Sequence, residues 1–351
     1  MSRGRDAANP AEIPVVGWKE VAFRVKAKIA KDRVGLLAAG VAFYGLLALF
    51  PAITAVIAVS GLLIGPSQII AQLNSLSGLM PEEVITIITK QATSVAGSRQ
   101  GGLGFAVIIG LLIAFYSASK GMASMIQGLN IAYDEEETRG FIERMLVTFA
   151  LTLMLIAGLI CGLTATLAVP AILAFVDMGP VVAMLINAAL WIGLIALTIV
   201  GLSVLYRFAP SRDAPKWKWT SVGAVVGCAL WIAASAGFAF YVSNFGYYNQ
   251  SFGTLAGAVV LLMWFWISAY IILMGAELNA ELEAQTRADT TAGRVKAIGA
   301  RDSEKADKSG SGLIDQSQKM TDQSQKMTDQ SQKMTVAAMQ IADKKVWAQR
   351  S

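Results

Sequence analysis

The sequence predicts an all-α polytopic membrane protein, with six transmembrane helices and amphipathic helices flanking them. Three observations lead there. Of 351 residues, 55% are hydrophobic and 15% charged, whereas a soluble domain is about a quarter charged. The apolar residues gather into runs of about twenty or more, the length that crosses a bilayer. The basic residues then alternate between connecting segments in a way that only an even number of crossings explains.

The runs fall at 34–64, 102–126, 145–175, 181–206, 220–242 and 254–282. A helix rises about 1.5 Å per residue, so the first, third and sixth exceed the hydrocarbon thickness and must tilt, kink or project beyond it. Pro51 lies mid-way along the first run. A proline there removes a backbone hydrogen bond, which makes it a candidate hinge. The turn between the third and fourth runs is signalled only by Asp177, Gly179 and Pro180.

The segment before the first run carries Arg3, Arg5, Lys19, Arg24, Lys26, Lys28, Lys31 and Arg33. The second loop has Arg139 and Arg144, and the fourth has Arg207, Arg212, Lys216 and Lys218. The other three loops hold only Lys90 and Arg99. By the positive-inside rule both termini, the second loop and the fourth loop are expected in the cytoplasm. The net charge of +5 is then a membrane collar facing anionic lipid, and no nucleic-acid partner is expected.

Three divisions follow. Residues 1–33 form a basic, amphipathic cytoplasmic segment. Its apolar residues Trp18, Val21, Ala22, Val25 and Ile29 suit a helix lying on the membrane surface. Residues 34–283 form the transmembrane domain. Within it, the first loop (66–101) reads as outer amphipathic helix, with Pro81, Glu82 and Glu83 as a helix start. Residues 284–351 form a polar cytoplasmic tail with three copies of DQSQKMT between Asp315 and Thr335. One Met per heptad is too little apolar surface for a coiled-coil seam, so the tail is expected to be disordered.

Catalytic apparatus is not recognisable. The chain has no histidine, the commonest general base and metal ligand. P-loop, GxSxG, HExxH and Gly-rich dinucleotide patterns are absent in usable contexts. Cys161 and Cys228 lie in apolar runs and read as small hydrophobes. The acidic run 134–137 spreads around a helix and reads as a solvated face rather than a metal cluster. No enzyme activity, metal or cofactor is expected.

Intramembrane charges are functional candidates by default. Here they are Lys120, Glu277 and Glu281, each near the expected cytoplasmic boundary. One reading joins them with Asp32 and Arg33 in an inner charged cluster; the other has Lys120 snorkel to water. At the outer side Asn244, Tyr247, Tyr248, Asn249 and Gln250 form an uncharged aromatic loop. It reads as a substrate vestibule or as interfacial anchoring. Glycine pairs at four-residue spacing (158 and 162, 223 and 227, 253 and 257) permit close helix approach.

Four stretches together resemble the BrkB/YihY family of bacterial inner-membrane proteins. They are FGTLAGAVVLLMWFWISAYIILMGAELNAELE (252–283), AAGVAFYGLLALFPAI (38–53), SASKGMASMIQGLNIAYDEEETRGF (117–141) and RFAPSRDAPKWKWTSVGA (207–224). The resemblance spans roughly residues 20–285 and excludes the tail repeats. It implies a six-helix inner-membrane protein, with Pro51 and Glu277 at family-type positions. It also implies links to envelope properties and serum resistance, and an older ribonuclease BN label that was mistaken. The expected function is transport or flipping of a lipid-like envelope molecule, with membrane lipids, anionic ones at the inner face included, as partners. The alternative is a non-transporting scaffold for envelope biogenesis. Substrate, direction, energy source and oligomeric state are not encoded in any recognisable motif.

Overall fold

The computed structural model describes residues 4–63, 103–175, 179–213, 215–244, 254–286, 290, 291, 303 and 305; side chains at 54–63, 103–107, 171, 172, 174, 175, 244 and 254–256 are excepted. Seven α-helices are present among these residues: α1 (Val15–Lys31), α2 (Val34–Leu63), α3 (Leu103–Ala132), α4 (Phe141–Phe175), α5 (Gly179–Phe208), α6 (Trp217–Asn244) and α7 (Thr254–Glu283). The last six are long and apolar enough to cross a membrane. The first loop and the DQSQKMT repeats lie outside the described residues.

The spans close in chain order. α2 packs on α3 and α7, α7 on α6, α6 on α5, α5 on α4, and α4 returns to α3. Short connections force this between α3 and α4 and between α5 and α6, because neighbours joined by a few residues must run antiparallel. Leu273 of α7 also lies against Gly128 of α3, bracing the ring across one end.

That end is where the core sits. Val34 and Ala38 of α2, Met125, Ile126 and Leu129 of α3, Leu205 and Tyr206 of α5, and Leu273, Ala276 and Ala280 of α7 belong to one buried cluster. α1, the start of α2, the α3–α4 and α5–α6 connections, and the end of α7 all meet there. Towards the opposite end α5 is more loosely held. Between residues 180 and 198 of α5, the half-buried positions are Ala183, Ile186, Leu190, Leu194 and Thr198, a single stripe at helical spacing.

Two glycines explain the tight end. Gly223 and Gly275 bring α6 and α7 so close that a Cβ on Gly223 would overlap the Gly275 carbonyl oxygen and Asn279. A Cβ on Gly275 would overlap the Tyr206 hydroxyl, which donates to the Ile272 carbonyl at 2.8 Å. The Gly223/Gly227 spacing therefore serves packing inside one chain. Gly158 faces open space, and Gly253 lies outside the described residues.

Two boundaries differ from the sequence expectation. α3 does not stop at Ile126 but runs to Ala132, because Gln127 and Asn130 extend a helix whose polar end is satisfied by protein. Asn130 accepts from the Ser211 backbone at 2.8 Å and donates to Glu137 at 3.1 Å. α1 is not simply a membrane-surface helix. Val21 and Val25 are buried against Trp219 and Leu282, so its apolar stripe faces protein, while Val15, Val16 and Phe23 remain exposed.

Candidate functional site: a charged collar at one end of the bundle

The collar begins with two basic residues on the wrong face of α1. Arg24 and Lys28 lie one turn apart, in the same stripe as Val21 and Val25, and are buried with them. Arg24 donates through Nε to Glu281 Oε2 at 2.6 Å, and through Nη2 to the Glu281 carbonyl at 3.0 Å and to Gln285 Oε1 at 2.7 Å. Lys28 donates to Asp32 Oδ2 at 3.1 Å and to Asp134 Oδ1. Burial opposes the charge on Lys28, but Asp134 and Asp32 outweigh it and hold the ammonium above the usual lysine range.

Asp134 reaches this position through the cap of α3. It adopts a left-handed conformation, φ 57°, while the Glu135 N–H returns to the Asn130 carbonyl at 2.8 Å, a helix-ending pattern that aspartate tolerates better than most residues. Two residues on, Glu137 takes a forked pair from Arg139, Nε at 2.7 Å and Nη2 at 2.8 Å. Arg139 also caps α5 through the Ala209 carbonyl at 2.8 Å. Burial alone would raise the Glu137 carboxyl, yet Arg139 outweighs it and holds the group below its usual range.

α7 supplies the acidic side. Glu277, Glu281 and Gln285 recur every four residues and share a face. Glu281 is fully buried and also receives Lys305 from the tail, Nζ to Oε1 at 2.5 Å, with Lys305 3.3 Å from Asp134 Oδ2. On another face of the same turn, Glu283 takes a forked pair from Arg212 at 2.7 and 3.0 Å. Arg212 lies 3.8 Å from the Tyr133 ring centroid and also donates to Ser303 at 3.2 Å. Burial opposes the Arg212 charge, but Glu283 outweighs it and keeps the guanidinium even more firmly protonated. Asn279 ties α7 to α6, accepting from the Gly223 N–H at 2.7 Å and donating to the Thr220 carbonyl at 3.0 Å.

Glu277 differs from all of these. It is 0% exposed, and neither carboxyl oxygen has a hydrogen-bond partner. It sits within electrostatic reach of Asp32, Lys305, Lys28 and Glu281.

The structure brings Asp32, Glu277 and Glu281 to this collar but not Lys120 or Arg33. Because α3 extends to Ala132, Lys120 stands twelve residues from its end, about 18 Å. Its side chain is exposed, with the ammonium 5.3 Å from the Tyr116 ring centroid. That face is opposite the buried one formed by Met122, Met125 and Leu129. Arg33 adopts a left-handed conformation, φ 52°, at the α1–α2 junction and stays exposed. Pro51 lies inside α2 without ending the helix, and its carbonyl faces Gly110 of α3. Pro170 lies inside α4 in the same way. Asn244 ends α6; its side chain and Tyr247, Tyr248, Asn249 and Gln250 lie outside the described residues.

Sequence reasoning missed Arg24, Lys28, Asp134, Arg212, Glu283 and Lys305 as site residues. For Arg24 and Lys28 a signal existed, since a surface helix places its cations beside the apolar stripe and not within it. The acidic run is not a solvated face, because Asp134 and Glu137 are both engaged; Glu136 is exposed. Among the described residues no group of three His, Cys, Asp or Glu could hold a metal ion.

The comparisons with known proteins agree with this architecture. The family model described as Virulence factor BrkB matches residues 25–298. The ribonuclease-like protein YfkH of Bacillus subtilis is 30% identical over 254 residues, covering 71% of this chain and 90% of YfkH. A UPF0761 membrane protein of Photobacterium profundum is 26% identical over 73% of this chain and 78% of its own length. Another, of Methylibium petroleiphilum, is 26% identical over 75% of this chain, which spans only 62% of that protein. No solved structure matches the chain significantly. With six apolar spans, a charged collar and a family match covering most of its length, this chain is a multi-pass membrane protein of the BrkB family.

Proposed function

We propose that this protein moves a lipid-like or amphiphilic envelope molecule across the bacterial inner membrane, with the collar and both termini on the cytoplasmic side. The observation that carries the reading is the contrast along the bundle. One end is closed by buried ion pairs, while in the other half α5 touches its neighbours along one stripe. A bundle tied at one end and held by narrower contact at the other gives an apolar chain a way in from the lipid once those helices separate. An amphiphile needs few intramembrane charges, unlike a polar solute.

Exposed Lys19, Lys26, Lys31, Arg33 and Arg144 stand around the collar. They fit the basic rim of a cytoplasmic face, with anionic lipid headgroups as partners. The proposed activity is transport without catalysis, in keeping with a chain that lacks histidine and commits Glu137, Glu281 and Glu283 to Arg and Lys. The scaffold reading has one observation of its own, the exposed apolar residues Val15, Val16 and Phe23 of α1, which suit a membrane- or partner-facing edge.

The test is flux. The full chain is reconstituted in liposomes, and leaflet-to-leaflet movement of fluorescent neutral and anionic lipids is followed. Movement several-fold above protein-free vesicles is expected. Equal rates for every lipid would overturn transport of phospholipid-like molecules and leave the scaffold as the better reading.

A further inference from the structure

We propose that Glu277 is a reversible proton-binding site, and that proton occupancy there is linked to engagement of the collar by Lys305. The inference stands apart from transport, since it concerns the protein at rest.

The geometry carries it. Glu277 is the one α7 carboxyl near the collar whose two oxygens are both buried and both without a donor. Glu281 and Glu283, four and six residues on, each have an arginine. An ionised carboxylate sealed from water needs a donor or a cation; a neutral carboxyl needs far less. The groups facing Glu277 are already committed. Lys28 serves Asp32 and Asp134, and Lys305 serves Glu281 and Asp134. Asp32 and Glu281 are themselves acidic, and the Tyr133 hydroxyl at the end of α3 is electrostatically coupled to Glu277. α2 contributes the apolar Val34 and Ala38 to the surrounding core, and α6 contributes Ala224.

The observed collar is therefore the state in which Glu277 carries a proton. Release of that proton to solvent leaves a carboxylate that competes for the cations within its electrostatic reach, Lys305 and Lys28. Lys305 is the one the proposal assigns, because Lys28 is held within helix α1 between Asp32 and Asp134. Deprotonation thus loosens Lys305 from Glu281 and Asp134, and protonation restores the latch. No covalent change is involved.

Three measurements on the full chain test this. Dicyclohexylcarbodiimide enters apolar surroundings and modifies protonated carboxyls; mass spectrometry should find the adduct on Glu277, several-fold above Glu281 and Glu283, and declining at alkaline pH. An unlabelled Glu277, or equal labelling of the three, would overturn the site. Infrared spectra should show a protonated-acid carbonyl band that shifts on deuteration, is lost in Glu277→Gln and is kept in Glu281→Gln. A Glu277→Gln spectrum identical to wild type would overturn it as well. Tryptic cleavage after Lys305 should rise several-fold with pH in wild type relative to Glu277→Gln, which stays latched. The same pH dependence in both would sever the link to the tail. If Glu277→Gln fails to fold, carbodiimide labelling of the wild-type chain decides the site, and wild-type cleavage after Lys305 that does not rise with pH relative to cleavage after exposed Lys19 overturns the link.

Discussion

The two halves of this bundle hold helices together by different means. At the collar, Gly223 and Gly275 let backbones approach, Asn279 and Tyr206 bond across helices, and buried arginines pair with Glu281 and Glu283. In the far half, α5 meets its neighbours along one stripe, and Val181, Met184, Leu185, Trp191 and Ile192 are exposed. Lipid gives apolar side chains no reason to prefer each other, so association rests on close packing and interhelical polar bonds. The half that has them is closed, and α5, which has fewer of them among the described residues of the far half, is the helix most able to move there.

That contrast is open to direct challenge. The largest effect should come from Arg212→Ala, which strands a buried Glu283; about 3–5 kcal/mol of stability is at risk when one partner of a buried pair is removed. It should appear as a large fall in the denaturation midpoint in detergent. Next is Gly275→Ala, where the new methyl overlaps the Tyr206 hydroxyl and overpacking costs about 1–3 kcal/mol. Gly158→Ala and Gly193→Ala meet nothing, and a helical Ala is favoured over Gly by up to about 1 kcal/mol. These variants should be neutral or stabilised, and a loss matching that of Gly275→Ala would erase the distinction between the halves.

A smaller effect concerns pH. The Glu137 carboxyl is held below its ordinary value of 4.5, so its stabilisation is present above that value and vanishes as pH falls through the lowered one. Lys28, held above 10.5, contributes fully below that value and loses its contribution only in strong alkali. The stability difference between wild type and Glu137→Gln should thus be flat across neutral pH and shrink towards zero in acid. Glu137 is partly exposed, so solvent screening limits the difference to less than about 1 kcal/mol. The smallest effect belongs to the far half: Trp191→Leu should change stability by less than about 0.5 kcal/mol.

The spans were legible in the sequence because lipid imposes a simple rule of length and apolarity, and all six are present. The site was legible where a charge interrupted an apolar run, as at Glu277 and Glu281. At Lys120 the depth was misjudged and the cluster reading fails, because Gln127 and Asn130 looked like the end of a helix that in fact continues to Ala132. Arg24, Lys28, Asp134 and Lys305 stand outside the apolar runs, where charge is ordinary. Only tertiary contact distinguishes Asp134, which meets Lys28 from more than a hundred residues away, from exposed Glu136 beside it.

The pairing of Arg24 with Glu281 spans 257 residues of sequence, and this bears on the order in which the chain is made. Synthesis proceeds from the N-terminus, so α1 emerges first, with Lys28 beside Asp32 but Arg24 lacking its acidic partner. Asp134 arrives after the second span and can receive Lys28, but Arg24 must wait until the last span is inserted. Until then a basic helix lies unfinished at the membrane, and a chain that stalls before α7 carries that defect. Completion of the collar is therefore also a record that every span has arrived.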